Sequence, residues 1–173
     1  MRDDGLVFPV GIRSESPHPF RSFENGGNTL KLLRYGAPGQ EKPALLDAKG
    51  GLRDLSGIIP DLAGKALTSA SLAKIKAVAP ESLPLVSGSP RIGACVADVR
   101  NFIAVGLNFA DHAAETGAEI PKEPILFNKA PNCIVGPNDD VIIPKGSQKT
   151  DWEVELAIVI GDGGSYIEEK DAM

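Results

Sequence analysis

Thr150–Gly161 reads "TDWEVELAIVIG", and its reading decides the fold. The run alternates as a strand does, with Trp152, Val154, Leu156, Ile158 and Ile160 on one side and Glu153, Glu155, Ala157 and Val159 on the other. A strand is therefore expected here, and the two glutamates share its second face. Their Cα atoms would stand roughly 7 Å apart, where two carboxylates at an effective dielectric of about 20 repel by on the order of 2 kcal/mol. In water that repulsion nearly vanishes. Either the face is solvated and the pair is ordinary, or it is partly covered and a cation lies between the acids.

The surrounding sequence sets the scene for that choice. The chain has 173 residues and 42% hydrophobic content, enough for one ordinary domain or for part of a larger one. Its net charge is −5, with lysines and arginines scattered, so no basic footprint for nucleic acid or an anionic membrane surface is present. The expected partner is a small molecule or a protein. Cys95 and Cys133 have no CxxC spacing, which excludes a zinc knuckle and reads as two structural thiols in a reducing compartment. No apolar run reaches the ~20 residues of a membrane span, and the charged start lacks a signal-peptide core, so a cytoplasmic location is expected.

Working outward from the strand, residues 1–29 carry no sustained periodicity and read as a disordered or adventitious leader, which includes His18. From Leu30 the runs "LKLLRYG", "KPALLDA" and "GLRDLSG" predict short strands, and "TSASLAKIKAVAPE" predicts a helix after a Thr/Ser start. These make a small α+β unit over residues 30–90, closed by a Pro/Ser linker between Pro84 and Arg91. Residues 91–173 form a strand-rich second unit through "FIAVGL", "EPILFNKA", "DDVIIP" and the Thr150–Gly161 run. The closing "SYIEEKDAM" reads as the first turn of a helix, and the second unit is expected to be truncated.

Within it, "GLNFADHAAETG" predicts a short helix capped by Asn108 or Asp111 and stopped at Gly117. His112 and Glu115 lie three apart on it. That spacing suits a carboxylate that fixes an imidazole tautomer in a general base, and it equally suits an exposed polar pair. Lys129 is a substrate anchor or a solvated lysine, and Glu153 with Glu155 offers hard oxygen donors that favour Mg2+, Mn2+ or Ca2+. The GDGG turn at Gly161–Gly164 lacks a phosphate-loop pattern.

In order and spacing, "GLNFADHAAETG", "PKEPILFNKAPNCIVGPNDDVIIP" and "DWEVELAIVIG" together resemble the fumarylacetoacetate hydrolase family, over about Leu30 to Met173 and most closely from Ile103 to Gly161. The nearest members in pattern carry the labels ureidoglycolate lyase and 2-hydroxyhepta-2,4-diene-1,7-dioate isomerase. The resemblance implies an α+β, mainly β chain that ends in the first part of a mixed β-sandwich roll, a homodimer when complete. It implies a hydrolase or lyase that uses Mg2+ or Mn2+ on a 2-oxo or 2,4-dioxo acid. Glu153 and Glu155 match its metal ligands, a third ligand being expected beyond Met173. His112 and Glu115 match the pair that activates water, and Lys129 matches a recurring lysine. Phe109 stands where the family has tyrosine and Cys133 where serine is common. Ureidoglycolate lyase-type C–N cleavage and an inactive binding remnant are the alternatives. A chain of this extent is not expected to work at normal rates.

Overall fold

The computed structural model describes residues 29–172. The expected leader, apart from its last residue, and with it His18, lies outside them. The described residues are α+β with more strands than helices, as the sequence predicts, and they divide into two compact units. One comprises the described residues up to Ala97 together with those from Gly136 onward; the other is Asp98–Val135. That division places residues 136–172 with the amino-terminal sheet, whereas the sequence reading divides the chain at 90/91. Among the described residues no helix is long and apolar enough to cross a membrane.

The first unit is built on three antiparallel strands, β1 (Leu32–Tyr35), β2 (Lys42–Leu46) and β3 (Leu52–Asp54), in the order β1-β2-β3. Both sheet faces are covered. Leu32 and Leu45 pack with Leu55, Leu62, Leu67, Ile75 and Leu83 on one side, and Leu33 with Ala44 and Ile92 on the other. Helix α1 (Ser69–Lys76) begins where expected, with the Thr68 hydroxyl accepting the Ser71 amide and Ile75 turned into the core. The Pro84–Arg91 stretch runs against the sheet, its ends marked by bridges Arg53↔Leu85 and Tyr35↔Ile92.

An ion network ties this unit together. Arg34 grips Asp61 with Nε and Nη2 at 2.7 and 2.9 Å. Arg91 grips both Asp139 oxygens and also donates to Glu41 Oε1 at 2.8 Å. Burial pushes the Glu41 carboxyl up, but the Arg91 hydrogen bond and the nearby Arg34 charge outweigh it and leave it below the usual range. Asp47 behaves likewise: burial raises it, and the Arg53 guanidinium with the amides of Gly51 and Lys49 lowers it further. Burial raises Asp54 as well, but hydrogen bonds from Ser56 and Tyr35 outweigh it and hold it low; burial, with the hydrogen bond to Asp54, pushes the half-buried Tyr35 phenol up to about 12. Carboxyls with depressed folded values bind fewer protons than in the unfolded chain. Their contribution is present above the unfolded values near pH 4 and drains away as pH falls through the lower folded ones. Thermal melts between pH 7 and pH 2.5 are expected to show the loss beginning below about pH 4.5; a flat profile would refute it.

Two close approaches fix the carboxy-terminal stretch onto this unit. A Cβ on Gly136 would stand 2.3 Å from the Ile92 carbonyl, and one on Gly161 2.2 Å from the Leu67 carbonyl, so both positions require glycine. Beside them Asp139 meets Arg91, Asp162 accepts the Ser69 amide at 2.9 Å, and Val159 packs against the main core. Between these anchors the structure departs from the sequence reading. The strands expected at "DDVIIP" and Trp152–Ile160 are absent: the segment takes no regular structure, and Trp152 and Leu156 are 79% and 84% exposed. Alternation makes a strand only when a ladder partner satisfies its backbone, and among the described residues none pairs with it. The last helical turn is a 3-10 turn, Glu169–Asp171.

The second unit is an antiparallel ribbon of β4 (Phe102–Gly106) and β5 (Ile125–Lys129) with α2 (Ala110–Thr116) between them in sequence. Both strands fall where the sequence places them. Helix α2 closes at Gly117 (φ 66°), as expected, with Ala118 N–H bonded to the Ala113 carbonyl and Gly117 N–H to that of Ala114. Its start differs from expectation. Phe109 occupies the N-cap position without a side-chain hydrogen bond, which leaves Asn108 outside the helix and Asp111 in its first turn, accepting the His112 amide. Leu107, at the joint between β4 and α2, takes a left-handed φ of 49°.

Candidate functional site

The expected site residues lie in both units. Helix α2 carries His112 half-buried and Glu115 exposed, on one face by their spacing of three. Among the described residues, no hydrogen bond joins the imidazole to that carboxylate. The helix is held by its backbone and by Thr116, whose hydroxyl donates to the His112 carbonyl at 2.9 Å, while the buried Ala113 turns inward.

Lys129 ends β5, directly opposite Phe102 in the ladder and two residues beyond Phe127. Its Nζ lies 6.0 Å from the Phe102 ring centre and 5.9 Å from that of Phe127. The sequence reading missed this cluster. The Phe127–Lys129 spacing of two was its visible half, since residues i and i+2 of a strand share a face; the Phe102 half depended on strand register.

Glu153 and Glu155 lie in the first unit, on the irregular segment, and both are exposed. Among the described residues, neither has a cationic partner. As a donor set they suit a hard divalent cation such as Mg2+ or Mn2+, which prefers carboxylate oxygen. Among the described residues no three His, Cys, Asp or Glu side chains gather as a metal cluster. By residue type the pair could offer such an ion two carboxylates, and the described residues gather no third donor beside them. Of the cysteines, Cys95 is partly covered, and burial pushes its thiol up and away from reactivity; Cys133 is exposed.

Residues 101–173 match the family model described as Fumarylacetoacetate (FAA) hydrolase C-terminal. A relative from Burkholderia cenocepacia, named "Putative hydrolase BceJ2315_61450", is 60% identical over 144 residues, which cover 83% of this chain and 51% of the relative. The chain thus spans about half the length of the curated relatives it matches. Two solved structures are similar in part. One is described as a "putative HpcE protein from Mycobacterium smegmatis", with 26% identity, a TM-score of 0.48 and coverage of 67% of this chain and 42% of that one. The other is fumarylacetoacetate hydrolase from Exiguobacterium antarcticum, with 27% identity, a TM-score of 0.42 and coverage of 61% and 37%.

Proposed function

We propose that this chain carries part of a fumarylacetoacetate hydrolase family enzyme, a hydrolase or lyase acting on a 2-oxo or 2,4-dioxo acid. One observation carries the reading: the segment matched to the family, residues 101–173, contains all five residues singled out for chemistry, His112, Glu115, Lys129, Glu153 and Glu155. The hydrolase name of the 60% identical relative supports the reaction class.

In this reading Glu153 and Glu155 would hold Mg2+ or Mn2+. A cation held there would supply Lewis acidity that stabilises negative charge developing on the bound acid. His112 takes a proton from the attacking water, with Glu115 one turn away on the same face of α2 as its companion carboxylate. Lys129 binds a substrate carboxylate. The water oxygen bonds to the distal carbonyl carbon, the adjacent C–C bond breaks, and the enolate that leaves is reprotonated, giving a carboxylic acid and a 2-oxo acid. The working form is a cytoplasmic homodimer.

The test is thermal melting with and without Mn2+ plus oxalate, which stands in for the chelating end of a 2-oxo acid. A ligand that binds only the folded state raises the melting temperature. A rise of about 3–6 °C in the parent chain is expected, corresponding to roughly 1 kcal/mol of binding linkage. It should disappear in the Glu153→Gln/Glu155→Gln variant. A cooperative melt with no response in the parent would favour a metal-free binding remnant.

A further inference from the structure

We propose that Phe102 and Phe127 are positioning residues that hold the Lys129 ammonium in place for a carboxylate of an incoming small acid; this rests on the substrate-anchoring reading of Lys129. The ribbon register builds the arrangement. Phe102 stands opposite Lys129, Phe127 precedes it by two on the same face, and Ala104 stands opposite Phe127. The two rings therefore flank the lysine from across the ladder and from along its own strand. Both ring centres lie at the ~6 Å reach of a cation–π contact.

The choice of partner matters for function. A carboxylate beside Lys129 would neutralise it, whereas a ring stabilises the cation and leaves its net charge in place. Among the described residues no acid pairs with Lys129, and the lysine is half-buried, so its charge is held in position and remains uncompensated. Its N–H donors are turned to use by an anion from outside, and a single compact ammonium suits one carboxylate oxygen rather than the bidentate grip of an arginine.

Reductive methylation with 13C-formaldehyde keeps lysines cationic and makes each visible by NMR, and Lys129→Arg assigns the signal. In the Phe102→Leu/Phe127→Leu variant the Lys129 signal is expected to lose its ring-current shift. The Phe102→Tyr/Phe127→Tyr variant should keep it, which separates loss of the aromatic faces from a disturbed ribbon. An unchanged oxalate affinity in the leucine variant, with the ribbon intact by circular dichroism, would overturn the positioning role. Oxalate is expected to shift the parent's Lys129 signal, with several-fold weaker affinity in the leucine variant. No shift in the parent would overturn the anchor itself.

Discussion

The His112→Gln variant is expected to lose roughly 10²–10⁴-fold in turnover of a 2,4-dioxo acid relative to the parent chain, the range that a positioned general base contributes. Loss of the enol absorbance of an acylpyruvate gives the rate. Glutamine keeps hydrogen-bonding capacity but cannot take a proton, so the variant isolates proton transfer. Its melting temperature should stay within a degree or two of the parent's, because α2 is held by Ala113, Thr116 and the Gly117 stop rather than by the imidazole. Glu115→Gln should lose less, since it acts through His112. Equal rates in parent and His112→Gln would reduce the helix pair to a surface pair, and no measurable turnover in the parent would remove the catalytic reading for a chain of this extent.

The second large effect concerns stability. Leu62→Ala is expected to destabilise the first unit by about 3–4 kcal/mol, because Leu62 is fully buried among Leu32, Leu45, Leu55, Leu67, Ile75 and Leu83. Part of the loss is transfer of the removed atoms to water, and the rest is the cavity that the close-packed neighbours only partly refill. Urea titration followed by circular dichroism should show a lower midpoint with little change in slope. The control is Ile58→Ala at a 47% exposed position, which should shift stability by no more than about 1 kcal/mol. If the two variants match, the cluster around Leu62 is not the core of this unit.

How much was legible in the sequence varied with the range of the interactions involved. β1, β2, β3, β4, β5 and α1 follow from local alternation, Gly and Pro punctuation and the Thr68 cap, all of which act within a few residues. The Gly117 stop was legible for the same reason. Trp152–Ile160 shows the limit: it has the strongest strand pattern in the chain, yet pattern cannot supply a partner. Arg34, Glu41, Asp61, Arg91 and Asp139 read as scattered charge, because the hydrogen bonds that join them, Arg34–Asp61, Arg91–Asp139 and Arg91–Glu41, span 27 to 50 residues. For the site, the residue types and their spacing were readable, as was the shared face of His112 and Glu115. The rings around Lys129 were not, because one of them depends on which residue of β4 stands opposite it.

The pinning of the chain at Gly136–Asp139 and again at Val159–Asp162 has an evolutionary consequence. The stretch between them is a closed span whose ends are set by other parts of the unit, so its own length is nearly neutral to folding: even doubling such a loop adds only about 0.6 kcal/mol of closure entropy. Descendants could insert, delete or redecorate residues around Glu153 and Glu155 while the scaffold beneath stayed the same. The span can thus change in length and sequence at a rate decoupled from that of the core.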